Sequence, residues 1–132
     1  MHSGSCLCGA VRYEIDGDVG PLVFCHCSRC RKAQGGPFAA VVPVATWSFR
    51  IVAGAESLGD YAAPSGLHRR FCKICGSPIF TSRENLPDVV RVRVGTLDTP
   101  LAKRGPEQHI FVGSKAEWDH IRDDAPQAVE RA

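Results

Sequence analysis

No stretch of this sequence approaches the run of roughly 20 apolar residues that a membrane-spanning helix needs. The opening residues, Met-His-Ser-Gly-Ser-Cys, lack the apolar segment of a secretory leader. Charge is nearly balanced: 16 Lys and Arg against 14 Asp and Glu leave +2, which gives no electrostatic case for a nucleic acid or a membrane surface as partner. No internal repeat is visible. The expectation from these absences is a cytoplasmic protein. At 132 residues the chain reads as one domain over 1–132. Its core covers about residues 4–122, and a polar tail from Asp123 onward is expected to fray.

What the sequence does hold is cysteine, in an arrangement that excludes a second class. There are seven, an odd number, so a complete disulfide framework is not expected. They fall in three tight clusters: Cys6-Leu7-Cys8, Cys25-His26-Cys27-Ser28-Arg29-Cys30 and Cys72-Lys73-Ile74-Cys75. Cysteines serving only as small buried apolar residues have no reason to cluster this way. Metal ligation does.

Between the clusters the pattern is mostly strand. Thirteen Gly and nine Pro imply many turns. Residues 10–15 alternate apolar and polar, as a half-buried strand should. Residues 17–21 make a turn, and Leu22-Val23-Phe24 runs into the second cluster. Residues 38–42 form a continuous apolar strand, with Pro43 marking its end or an edge. Residues 47–52 alternate again, predicting that Trp47, Phe49 and Ile51 share a buried face. Residues 67–71 lead into the third cluster and 78–81 leave it. Residues 89–94 give a further alternating strand, with Arg91 and Arg93 expected on one solvated face. Two helical pieces are predicted. Ser28–Gln34 is stopped by Gly35-Gly36. A second starts at Ser114, where Glu117 completes a capping-box pattern and Trp118 serves as a core anchor.

The spacing permits several ligand sets. Cys72 and Cys75 form a C-x-x-C knuckle followed by Gly76, and Cys6 and Cys8 a C-x-C pair followed by Gly9. Two such pairs can close a four-thiolate site, whose binding energy becomes folding energy. Cys25, Cys27 and Cys30 can present three sulfurs to one ion from a single short segment. Structural zinc takes four protein ligands, whereas catalytic zinc takes three and leaves a position open. Pairing Cys27 and Cys30 with Cys72 and Cys75 is also chemically sound, as is a single site with the remaining thiols free. Two sites are expected.

Gly4-Ser5-Cys6-Leu7-Cys8-Gly9-Ala10-Val11-Arg12-Tyr13, then residues 25–32, then Phe71-Cys72-Lys73-Ile74-Cys75-Gly76 resemble the CENP-V/GFA family, GFA standing for glutathione-dependent formaldehyde-activating enzyme. Val94-Gly95-Thr96-Leu97-Asp98 and His109-Ile110-Phe111-Val112 ahead of Trp118 fit the same pattern. The resemblance runs from about residue 4 to residue 122. It implies a mainly β fold of packed antiparallel sheets, the β-tent, stabilised by zinc. It implies a structural zinc at Cys6, Cys8, Cys72 and Cys75, and a second, catalytic zinc at Cys25, Cys27 and Cys30. The implied activity is that of a carbon–sulfur lyase joining a thiol such as glutathione to formaldehyde or a related small aldehyde. The alternative is a zinc-stabilised binding module without turnover.

For the lyase reading, a zinc held by three thiolates accepts an external thiol as thiolate, which then attacks the aldehyde carbon to give a hemithioacetal. Polarising the aldehyde oxygen instead is disfavoured, because three cysteinates leave a net charge of about −1 on the site. Arg29, Arg31 and Lys32 are interleaved with the ligands or follow them. They either offset that charge or hold the carboxylates of glutathione, for which Arg offers a bidentate fork. Gln34 and Gly35, with Gly36, are placed to line the pocket at the helix end. Arg69 and Arg70 are further candidates for carboxylate binding. His26, between two ligands, is expected to point away from the ion.

Overall fold

The computed structural model describes residues 1–102 and 104–131. In chain order the strands are β1 (His2–Ser5), β2 (Arg12–Ile15), β3 (Val23–Cys25), β4 (Ala39–Ala45) and β5 (Phe49–Ala53). β6 (Leu58–Ala62), β7 (Leu67–Cys72), β8 (Pro78–Arg83), β9 (Leu86–Arg93) and β10 (Gln108–Ile110) follow. Among the described residues the α-helix is α1, Ser28–Gln34, with the bounds the sequence predicts. The protein is mainly β. No helix of the described residues is long and apolar enough to cross a membrane. The chain divides into two compact units, Met1–Gly20 with Val42–Ala102, and Pro21–Val41 with Lys103–Ala132.

In the first unit β2 lies between β1 and β5, antiparallel to both. Its alternation is the expected one, with Tyr13 and Ile15 buried and Arg12 exposed. The Tyr13 ring meets Phe49 at 5.2 Å, and Phe49 meets Phe80 at 4.8 Å. Position 4 has no room for a side chain: a Cβ there would lie 2.2 Å from the Tyr13 ring. The Thr96 hydroxyl donates to the Arg93 carbonyl at 2.8 Å, so the Tyr13 hydroxyl donates to Thr96, at 2.7 Å. The strands β6, β7, β8 and β9 form an antiparallel meander.

Three expectations fail in this unit. Trp47 is not in the core but 78% exposed. Thr46–Ser48 coils as a 3₁₀ turn, so the strand starts at Phe49 and Trp47 falls outside its two-residue period. Arg93 does not share a solvated face with Arg91. It is buried, 5% exposed, and its guanidinium donates to Thr81 Oγ1 and the Arg91 carbonyl. Hydrogen bonds of this kind are what make a buried charge tolerable. Pro43 neither ends its strand nor breaks it. β4 continues to Ala45, and the Pro43 carbonyl accepts from the Gly20 N–H at 2.9 Å.

In the second unit β3 pairs antiparallel with the start of β4, through Val23–Val41 and Cys25–Ala39. On its other side β10 runs parallel to it, with His109 beside Phe24 and Ile110 beside Cys25. Phe24 stacks on Phe38 with ring centres 4.0 Å apart. The predicted second helix is absent. Val112–Ser114 is a 3₁₀ turn in which Ser114 N–H donates to Phe111 and Lys115 N–H to Val112. Lys115 then turns extended, with ψ 141°, which a helix cannot continue. Trp118 is consequently 64% exposed, and the small Ala116 is the buried residue of this stretch.

The tail beyond Asp123 is not frayed in its backbone. The Pro126 carbonyl accepts from His109 N–H, and Ala128 N–H donates to His109. Ala128, Val129 and Glu130 carbonyls accept from Val112, Gly113 and Phe111. The segment is polar in composition, but it satisfies the outer side of β10, whose backbone groups would otherwise need other partners.

Candidate metal centres

The seven cysteines form no disulfide. Their sulfurs gather into two groups, Cys6 with Cys8, Cys72 and Cys75, and Cys25 with Cys27 and Cys30. Within each group all Sγ atoms lie within 4.8 Å of one another. Of the pairings the spacing permits, Cys27 and Cys30 gather with Cys25, and Cys72 and Cys75 gather with Cys6 and Cys8.

The four-cysteine group belongs to the first unit. Cys6 and Cys8 lie in the turn after β1, Cys72 ends β7, and Cys75 lies in the turn before β8. Each pair is a knuckle closed by glycine. Gly9 N–H donates to the Cys6 carbonyl at 3.0 Å and Gly76 N–H to the Cys72 carbonyl at 2.8 Å. Both glycines have positive φ, +81° and +82°, which a side chain rarely adopts. Leu7 N–H donates to Ser77 Oγ at 2.9 Å and ties the two knuckles together. Sulfur separations of 3.6 Å (Cys6–Cys8) and 3.8 Å (Cys8–Cys72) are far longer than a disulfide. They match the edge of a tetrahedron with metal–sulfur bonds of about 2.3 Å, an edge of about 3.8 Å.

The electrostatics of these four thiols point the same way. Ser77, through its hydroxyl and its N–H, pulls the Cys75 thiol down to about 5. Burial pushes Cys6 up, but the Val11 N–H and the neighbouring sulfurs outweigh it, and its thiol is lowered. The Ala10 N–H favours a Cys8 thiolate, yet burial and the sulfurs of Cys6 and Cys75 together drive Cys8 up to about 11. Four thiolates so close repel one another, and a divalent cation removes the conflict.

The three-cysteine group belongs to the second unit. Cys25 ends β3, Cys27 is the N-cap of α1, and Cys30 sits in the first turn of that helix. The Cys27 sulfur accepts from the Cys30 N–H at 3.3 Å, doing for the helix what a Ser or Asp oxygen usually does. Hydrogen bonds from the Cys25 and Cys30 thiols, with the N–H groups of Cys30 and Arg29, pull the Cys27 thiol down to about 2 against its burial. Hydrogen bonding to Cys27 and Cys30, then burial, push Cys25 up. Among the described residues, no fourth Cys, His, Asp or Glu joins this group. Soft thiolates at these separations suit zinc in both groups.

The remaining predicted residues are placed as follows. Arg29 and Lys32 are exposed on α1, which buries none of its residues. Arg31 buries its Nε without a hydrogen-bond partner. Gln34 ends the helix, and the Gly35 N–H caps it by donating to the Arg31 carbonyl at 2.8 Å. Arg69 and Arg70 lie on β7 in the first unit. Arg70 is engaged there, donating to the Gly59 carbonyl and lying over the Phe80 ring.

His26 does turn away from the sulfurs, and what it turns toward was not visible in the sequence. It is fully buried, with Nε2 2.8 Å from His109 Nδ1. His109 is buried too, and its Nε2 lies 3.0 Å from both oxygens of Asp123. Asp119 Oδ2 is 3.8 Å from His26 Nδ1. Burial first, and the neighbouring His109 second, hold the His26 ring below its ordinary value and favour the neutral form. The His109 hydrogen bond, with the Ala125 N–H, holds the Asp123 carboxyl below the usual carboxylate range. His26 and His109 lie 83 residues apart, and only the parallel pairing of β3 with β10 brings them together.

Comparison with known proteins bears on the family of the chain. The model of the glutathione-dependent formaldehyde-activating enzyme family matches residues 1–114. A protein of Halomonas elongata, provisionally named a glutathione-dependent formaldehyde-activating enzyme, is 32% identical over 130 residues, covering 92% of this chain and 81% of its own. An uncharacterized lyase of Schizosaccharomyces pombe is 33% identical over 84 residues, 64% of this chain and 59% of that one. A crystal structure of a Rhodobacter sphaeroides protein superposes with a TM-score of 0.66 at 25% identity, covering 95% of this chain and 98% of that one. With two cysteine-rich groups gathered as the motifs foretell, and a family match over most of its length, the chain belongs to the glutathione-dependent formaldehyde-activating enzyme family.

Proposed function

We propose that the protein is a cytoplasmic, zinc-dependent carbon–sulfur lyase that joins a small thiol, glutathione in the first instance, to formaldehyde or a related aldehyde. The observation that carries the reading is the convergence of three sulfurs from one short segment, with no fourth side-chain donor among the described residues. A zinc ion bound there would supply one free position at which an external thiol is held as thiolate. Cys27, already favoured as thiolate by its thiol and backbone donors, anchors that set, and Cys25 and Cys30 complete it. Arg29 and Lys32 offer exposed positive charge for the substrate carboxylates, and Arg31 brings a buried guanidinium Nε that lacks a partner. Gln34 and Gly35 lie at the C-terminal end of α1, opposite the end that Cys27 caps. The new bond forms between the thiol sulfur and the aldehyde carbon. The carbonyl electron pair moves to oxygen, which takes its proton from water. Zinc at Cys6, Cys8, Cys72 and Cys75 has the separate role of holding the fold.

The test is a metal count joined to a thiol titration and a rate. Protein prepared without chelator is expected to hold close to two zinc ions per chain. Glutathione should bind better than S-methylglutathione, which cannot give a thiolate to the metal. Adduct formation should exceed the spontaneous rate and fall in Cys27→Ser. Thiol binding without rate enhancement would remove the lyase assignment. A second reading, a binding module without turnover, draws on the knuckle tips, where Leu7 and Ile74 are 86% and 67% exposed. It predicts no response to any thiol.

A further inference from the structure

The loop that carries Cys25 and Cys27 is gripped twice by β10. Its backbone is held where the His26 N–H donates to the Ile110 carbonyl at 3.0 Å. Its side chain is held where His26 meets His109 at 2.8 Å. His109 is itself fixed, its N–H on the Pro126 carbonyl, its carbonyl on the Ala128 N–H and its ring edge-on to Phe24 at 5.4 Å. Phe38 closes the other side of His26, with ring centres 5.3 Å apart.

The direction of the hydrogen bonds follows from the chemistry of the groups. An ionised Asp123 can only accept, so His109 Nε2 carries a proton toward it. With its proton on Nε2, the His109 ring offers Nδ1 as the acceptor for His26 Nε2–H. His26 Nδ1 is left bare, which agrees with its lack of a hydrogen-bond partner. Each link fixes the tautomer of the next, and the last ring belongs to the residue between two ligands. Asp119 and Asp123 lie beyond residue 114, where the family match ends.

We propose that His109 and Asp123 are positioning residues for the three-cysteine centre: through His26 they hold the Cys25–Cys27 segment in the conformation in which its sulfurs converge. The inference rests on the reading of Cys25, Cys27 and Cys30 as a metal centre. Neither residue touches the ion or the substrate. Their effect is on the affinity and geometry of the centre, as outer-shell partners of ligands have in metal sites generally. Unlike most such partners they act through a non-ligating histidine between the ligands, so the sulfurs keep their full charge.

The experiment uses the full chain with zinc in the four-cysteine group and cobalt exchanged into the three-cysteine group. Long-range proton–nitrogen spectra of the imidazoles should show both His26 and His109 protonated on Nε2. In His109→Leu, cobalt affinity at the three-cysteine centre should fall about tenfold or more, with its absorption bands altered and the zinc at the four-cysteine group retained. His109→Asn, whose side-chain oxygen can stand where Nδ1 stood, should recover most of the affinity. Asp123→Ala removes a partly exposed side chain and carries the test if His109→Leu does not fold. It should release His109 into a mixture of tautomers and weaken cobalt binding. Wild-type affinity and bands in both His109→Leu and Asp123→Ala would overturn the proposal, as would a wild-type His109 protonated on Nδ1. A wild-type chain that takes up no second ion overturns instead the metal-centre reading beneath it.

Discussion

At the scale of the residue, cysteines of one type carry two different burdens. Cys75 closes a four-sulfur group that fixes two knuckles to each other, so Cys75→Ser should lower the melting temperature sharply, because metal affinity there is coupled to folding. Cys27→Ser should lower it little, since a serine oxygen can still cap α1, while the metal and thiol affinity of the three-cysteine centre is lost. Thermal melts of both variants beside a metal count check the pair. Equal, severe loss in both would mean that both groups are structural. Charge supplies a second check. Arg29→Glu should weaken glutathione binding, and the deficit should shrink as salt rises, because the exposed guanidinium acts over distances that salt screens. The two cysteine groups were legible in the sequence because short spacing between cysteines is a local signal. His109 and Asp123 were not. A lone histidine in a short strand and an aspartate in a polar tail carry no local mark, and their meaning arises only from the pairing of β10 with β3.

At the scale of the element, the alternation of β2 was read correctly, whereas β9 was read as a strand but its Arg93 was placed on the wrong face, and two further misreadings sit where a 3₁₀ turn intervenes. Trp47 is one residue into such a turn and Trp118 follows another, so neither keeps the period its neighbours suggested. An aromatic residue is a strong core signal only when the backbone phase is known. The meander carries a pH-dependent lock. His68 on β7 donates from Nδ1 to Asp60 on β6 at 2.9 Å and from Nε2 to Glu84, just past β8, at 2.7 Å. Asp60 first and Glu84 second raise the His68 pKa. A group whose folded pKa is raised stabilises fully below its unfolded value of about 6.5, and the contribution vanishes as pH rises through the folded value. The melting-temperature gap between wild type and His68→Gln should therefore be larger at pH 6 than at pH 9. A gap that does not change with pH would show that the ring acts by packing alone. The C-terminal segment invites an equally direct check. Deleting residues 126–131 exposes the outer side of β10, so it should destabilise the protein and loosen the three-cysteine centre, rather than trim a passive tail.

At the scale of the whole molecule, each compact unit contains one group of sulfurs. Metal removal should accordingly proceed in two steps. A mild chelator should empty the three-cysteine centre while the circular dichroism of the sheets persists, and a strong one should empty the four-cysteine group with loss of fold. Simultaneous release and unfolding at one chelator strength would contradict this order. Chain separation gives the order a further meaning. Cys8 and Cys72 are 64 residues apart, so an ion shared between them ties off a long loop of the unfolded polypeptide, a restriction worth roughly 4 kcal/mol by the estimate used for covalent cross-links. The three sulfurs of the other group are neighbours along the chain and close no such loop. Losing the ion from the four-cysteine group frees the polypeptide to wander, and its return must await a refolding search. Losing it from the three-cysteine group should leave the sulfurs near one another, since all three come from residues 25–30. On the proposed reading, that centre should empty and reload within a standing fold, any oxidised sulfur first being returned to thiol by an external reductant, so that its recovery needs no refolding.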